Sequence, residues 1–209
     1  MRGSALLLAL ASLLAAPAPA PPPPRYVVYL HGRIIEEEGR RPTSPEFGTY
    51  EYDAILDTLR GAGFVVLSEQ RPAGTSSEAF ATHVVAQVDS LIHAGVAPAA
   101  ITVVGFSKGG WIAILASARL GRPEVSYAFL GACGPWAFEP SLHVSGRVLS
   151  LYERSDSLGV SCAPMFAHRA AGTRTHELRL DTGRRHGAFF RPDDAWLRPV
   201  IAWARGEEP

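Results

Sequence analysis

The chain has 209 residues, 47% of them hydrophobic and 19% charged, with 20 basic residues against 20 acidic ones and a formal net charge of zero. That length carries one domain with a sizeable core, in the composition range of a soluble globular protein. The balanced, scattered charge leaves no electrostatic footprint for nucleic acid or an anionic membrane, and no internal repeat is apparent.

The start of the chain reads as a targeting segment. Arg2 supplies a positive charge, residues 5–16 are apolar, and Ala18-Pro19-Ala20 resembles an A-x-A cleavage site. The apolar run is short for a membrane span and is followed by proline, so residues 1–20 are expected to be a signal peptide and the protein to be exported. An uncleaved anchor is the alternative. Residues 21–24 form a stiff Pro-rich leader, and the folded domain is expected over residues 25–206. In an oxidising compartment the two cysteines, Cys133 and Cys162, suggest one disulfide; two separate buried thiols are the other reading.

From residue 25 onward strands and helices alternate. Arg25-Tyr26-Val27-Val28-Tyr29-Leu30 reads as a strand ending in His31-Gly32-Arg33, and the charges of Glu36-Glu37-Glu38 with Gly39 and Pro42 predict an exposed loop. A helix is expected from Thr49, with Tyr52, Ile55, Leu56 and Leu59 on one face, ended by Gly61 and Gly63. Residues 64–68 give a second strand. Ser76 or Ser77 caps a long helix with the stripe Phe80, Val84, Val88, Leu91 and Ile92, closed by Gly95. Residues 100–104 form a β-branched strand, and residues 110–116 a helix apolar on nearly all sides and hence buried. Strands follow at 125–130, 147–152 and 177–180, with a short helix at 163–171 and a terminal one at 196–204, where Pro199 fits a first turn. Such alternation predicts a mostly parallel sheet of about six strands, covered on both faces in a single-domain three-layer αβα sandwich. No segment is long enough for a separate cap domain.

Between the third of these strands and its helix lies Gly105-Phe106-Ser107-Lys108-Gly109. A Gly-x-Ser-x-Gly turn from strand into helix is a nucleophile elbow: the turn is too tight for Cβ atoms beside the serine, and it lifts the hydroxyl off the sheet. Residues just past the C-terminal ends of parallel strands converge on one rim, where His31-Gly32-Arg33, Ser107, Asp156 and His186 are all expected. A serine hydroxyl needs an adjacent base, an imidazole fills that role, and a carboxylate fixes the imidazole's tautomer. The order Ser107, Asp156, His186 suits this chemistry.

On Tyr29-Leu30-His31-Gly32, the Gly-Phe-Ser-Lys-Gly turn, Tyr152-Glu153-Arg154-Ser155-Asp156 and His186-Gly187, the chain resembles the α/β-hydrolases across nearly all of residues 26–203. The resemblance implies the α/β-hydrolase fold in a minimal form without a cap. It implies a serine esterase-like mechanism in which Ser107 is the nucleophile, His186 the base and Asp156 its partner. One oxyanion-hole amide would come from Lys108 and the second from Arg33 or Gly32. The substrate class implied is a small acyl compound, ester, amide or thioester, hydrolysed or transferred, and no cofactor is required. The chain departs from larger members in lacking the antiparallel N-terminal hairpin as well as the cap, so a shallow pocket is expected.

Other readings stay open at this stage. Ser107 also fits a plain helix N-cap. Glu153 and Asp181 compete with Asp156 for the acid role, Glu153 at a disadvantage because it lies within or at the end of a strand. His83 and His93 lie off their helix's apolar stripe, His143, His168 and His176 fit no motif, and His31 suits fixing the oxyanion loop by hydrogen bonds. Metal binding is poorly supported, since neither His-x-x-x-His nor Cys-x-x-Cys occurs, and no Gly-rich phosphate loop is present. Arg33, Lys108, Arg184 and Arg185 are either a rim attracting an acidic substrate or ordinary surface charges. A non-catalytic binding protein on the same fold is the contrasting functional reading.

Overall fold

Six apolar segments, rich in Val, Leu, Phe and Tyr, become the strands of one parallel sheet in a computed structural model that describes residues 22–209. The expected signal peptide and Pro21 lie outside the described residues. In chain order the elements are β1 (Arg25–Leu30), α1 (Arg33–Glu38), the two-residue strands β2 (Thr43–Ser44) and β3 (Gly48–Thr49), α2 (Tyr52–Gly61) and β4 (Phe64–Leu67). There follow α3 (Ser77–His93), β5 (Ile101–Phe106), α4 (Lys108–Leu120), β6 (Ser126–Leu130) and β7 (Arg147–Glu153), then α5 (Ala163–Phe166), β8 (Arg174–Leu180) and α6 (Asp194–Arg205).

The sheet order is β4-β1-β5-β6-β7-β8, and every adjacent pair is parallel. From β1 the chain steps outward to β4 and then crosses back to β5 on the other side. This reversal makes the gap past the carboxyl ends of β1 and β5 the topological switch point, where parallel α/β sheets hold ligands. β2 and β3 pair separately as a small antiparallel hairpin.

Side chains alternate faces along each strand. Val27, Tyr29, Val104 and Phe106 pack with α2 and α6, while Val28, Leu30, Ile101 and Val103 pack with α3 and α4. Each large apolar side chain taken fully out of water contributes about 1.5–3 kcal/mol, so these two layers hold the sheet. α4 is buried on almost every side, as its composition predicts. Ser76 caps α3, its Oγ accepting from the Ala79 amide at 3.3 Å.

Several local expectations are corrected. Residues 33–38 form a helix, not an exposed loop, and Ile35 and Glu36 are buried. Local charge had no means of revealing that Glu36 meets the buried Arg71 and the partly buried Lys108. Thr49 belongs to β3, and α2 starts only at Tyr52. The helix expected at 163–171 is only Ala163–Phe166. Pro199 sits inside α6, not in its first turn. The missing N–H removes one ladder bond, and the buried Trp196, Val200 and Trp203 carry the helix past it.

Candidate active site

Ser107 joins β5 to α4 with φ 53° and ψ −118°, a conformation unfavourable for a side chain. The close approach of α4 to the sheet imposes it. A Cβ on Gly109 would lie 2.0 Å from the Leu30 carbonyl oxygen, and one on Gly105 2.3 Å from that of Gly109. Only glycine fits there. The Ser107 hydroxyl does not cap α4, so the plain N-cap reading has no support in the geometry. Arg185, immediately before His186, is the other non-glycine residue at positive φ among the described residues. Both strained positions therefore flank the same cavity, the pattern expected where surroundings hold reactive groups in place.

His186 and Asp156 are both buried, and His186 Nδ1 lies 2.6 Å from Asp156 Oδ2. The other carboxylate oxygen, Oδ1, accepts from the Leu158 amide at 2.9 Å, which locks the turn after β7. The His186 ring packs against Phe106 with centroids 4.8 Å apart and against Phe47 at 5.9 Å. Ser107 and His186 line one cavity of about 660 Å³ that opens to solvent. No hydrogen bond joins Ser107 Oγ to the His186 ring in this structure, whose hydrogen bond runs to Asp156.

The competing carboxylates have other work. Asp181 pairs with Arg154 at 3.0 Å in solvent. Glu153 is buried at the end of β7, where its carboxylate accepts from the Ser155 amide and hydroxyl and from the Thr182 and Gly183 amides. Burial pushes its pKa up, but the hydrogen bonds from Ser155, Gly183 and Thr182 outweigh this and leave it below the usual range. Glu153 thus ties the turn of Asp156 to the loop that leads to His186.

The opposite wall is held by charge. His31 is fully buried, with Nδ1 2.8 Å from the Gly32 carbonyl and Nε2 accepting from the Arg71 amide at 2.9 Å. Burial and then the nearby Arg71 charge push its pKa down to about 3, so the ring is neutral. Arg71 also donates to the His31 carbonyl, and its Nε pairs with Glu36 Oε1 at 2.7 Å, both side chains being wholly buried. The second Glu36 oxygen takes Lys108 Nζ at 2.5 Å. Glu36 and Arg71 were invisible to sequence reasoning. Separations of 35 and 72 residues leave no local signal of these pairs.

Gly32, Arg33 and Lys108 all line the cavity. The Gly32 amide is directed at Tyr50 Oη, 3.5 Å away, whereas Arg33 opens α1, where amides lack helical partners. Every cationic side chain considered for an acidic rim has a carboxylate partner. Arg33 pairs with Glu37, Lys108 with Glu36, Arg184 with Asp193 and Arg185 with Glu46. The surface-charge reading is the better one.

Cys133 and Cys162 form a disulfide with Cα atoms 5.3 Å apart. No cluster of three or more metal-ligating side chains occurs among the described residues, and no described helix is long and apolar enough to cross a membrane.

No protein-family profile and no curated protein sequence matches the chain. Solved structures do. An esterase of the bacterial hormone-sensitive lipase family aligns at 18% identity and TM-score 0.60, over 90% of this chain and 78% of that one. An esterase/lipase from an uncultured bacterium aligns at 14% identity and TM-score 0.60, over 87% and 76%. SOBER1 of Arabidopsis thaliana aligns at 13% and TM-score 0.56, over 88% and 99%. With its parallel sheet, its elbow at the switch point and these structural neighbours, the chain has the α/β-hydrolase fold.

Proposed function

We propose that this protein is a serine hydrolase that cleaves a carboxylic ester or a related acyl bond through an acyl-enzyme intermediate. The observation that carries the reading is the buried 2.6 Å pair of His186 Nδ1 and Asp156 Oδ2 on the cavity that Ser107, strained and uncapped, also lines. Asp156 holds the proton on Nδ1, which leaves Nε2 as the base. When substrate fills the cavity the ring and hydroxyl close to hydrogen-bond distance, a tightening common on substrate binding. Ser107 Oγ attacks the carbonyl carbon and its proton passes to Nε2. The oxyanion is met by the Lys108 and Arg33 amides. The alcohol leaves with the proton from His186, and water repeats the sequence on the acyl-enzyme.

Export belongs to the same proposal, supported by the Cys133–Cys162 disulfide, since such bonds persist in oxidising compartments. The test is labelling of purified protein with a fluorophosphonate probe, comparing wild type with Ser107→Ala and His186→Ala. Labelling of the wild type alone is expected, with hydrolysis of short esters falling by at least about a thousandfold in either variant. A folded wild type that resists the probe and hydrolyses no ester removes the catalytic reading and leaves a binding protein on this fold.

A further inference from the structure

Four large hydrophobic side chains stand out in solvent among the described residues. Val65 lies on the edge strand β4, but Trp136, Leu158 and Val160, 50%, 51% and 38% exposed, all line the cavity that holds Ser107 and His186. Apolar surface gathered at one cavity mouth is unfavourable in water and contributes nothing to the core.

These three side chains stand on two loops built to stay fixed. Trp136 belongs to a short 3-10 turn after β6, and Leu158 and Val160 follow Asp156 after β7. The Val160 amide donates to the Cys133 carbonyl at 2.9 Å in an isolated antiparallel bridge, and the Cys133–Cys162 disulfide joins the same two loops. The loops also touch closely, since a Cβ on Gly159 would lie 2.5 Å from the Gly131 backbone. An exposed apolar surface so firmly braced is preorganised to receive something. Phe106, Trp111 and Ala132 add further apolar lining to the same cavity.

We propose that Trp136, Leu158 and Val160 form a shelf that takes an apolar chain of several carbons on the substrate, so that the preferred substrates are esters with a medium-length chain on one side of the bond, not esters as small as methyl acetate. This rests on the ester reading above. The chain belongs either to the acyl group or to the alcohol, and the experiment separates the two.

Two ester series are compared: p-nitrophenyl esters from acetate to decanoate, and acetates of alcohols from methyl to octyl. In the series whose chain meets the shelf, kcat/KM is expected to climb about fourfold per methylene, the increment of burying one CH₂, until the shelf is covered. In Trp136→Ser/Leu158→Ser the slope should fall below about twofold per methylene. Both sites are exposed, so the fold should survive. Binding of the same esters to Ser107→Ala, read by calorimetry, should show the same slope without catalysis, which keeps failure of the shelf distinct from failure of the serine mechanism. A flat profile in both series overturns the proposal, as does a slope that the double variant retains. Loss of binding to phosphatidylcholine vesicles with an unchanged slope also overturns it, making the surface a lipid-docking patch.

Discussion

The two walls of the cavity are fixed in opposite ways. On the β1 and elbow side, His31, Arg71, Glu36 and Lys108 lace three segments together through buried ion pairs and hydrogen bonds. On the β6 and β7 side the fastening is a disulfide, a backbone bridge and the hydrogen bonds of Glu153. The first wall carries the amides proposed for the oxyanion and must hold polar groups still in low dielectric. The second carries apolar side chains and the turn of Asp156, and it keeps two solvent-facing loops in register. A buried charge network is rigid only while every member is matched, whereas a covalent staple is indifferent to charge. A thiol reductant should therefore loosen the second wall alone, whereas falling pH should loosen the first wall before it reaches the Glu153 contacts of the second.

The comparison is broken most directly at Glu36. Glu36→Gln leaves the wholly buried Arg71 without its carboxylate, and a loss of about 3–5 kcal/mol is expected. Denaturant unfolding checks it. Glu36→Leu/Arg71→Met removes both charges and should lose less than Glu36→Gln alone; a larger loss would mean that the pair contributes more than its desolvation costs.

Next in size is the staple. A cross-link between residues separated by 29 positions contributes about 3–4 kcal/mol in the loop-entropy account. Cys133→Ala/Cys162→Ala, or wild type under strong reductant, should unfold at correspondingly lower denaturant. Equal midpoints with and without reductant would show that the backbone bridge and Glu153 suffice by themselves.

The most gradual effect is the response to acid, small at each step of pH and spread over several units. Because the folded-state pKa of His31 is pushed down to about 3, the unfolded chain takes up a proton that the native ring refuses. The contribution of His31 is complete above its ordinary value near 6.5 and is lost as pH falls from there toward 3. The slope should reach about 1.4 kcal/mol per pH unit in that window. Stability measured against pH for wild type and His31→Gln gives the difference, and parallel curves would show that the ring does not govern acid sensitivity.

Much of the architecture was legible because its signals are local. β-branched runs, helical stripes and the glycines around Ser107 each act within a few residues, and strand–helix alternation leads to the parallel sheet. For the site, the sequence put Ser107, Asp156 and His186 just past strand ends but carried no distance between them. Where local reading failed, a distant partner had prevailed. Glu36 looked like one of three solvated carboxylates until Arg71 and Lys108 enclosed it, and Glu153 looked like a rival acid until two loops closed over it.

By itself, then, the sequence determined the order of the elements, the faces they bury and the tight turn at Ser107, since side-chain periodicity and steric room for a Cβ are properties of short stretches. Tertiary structure alone decided which carboxylate meets His186, which cations Glu36 neutralises, that the Gly32 amide turns to Tyr50, and that Trp136 and Leu158 line one cavity. Those outcomes depend on burial and on contacts between residues far apart in the chain. Charges and exposed apolar groups acquire their energies only once the fold has set what surrounds them.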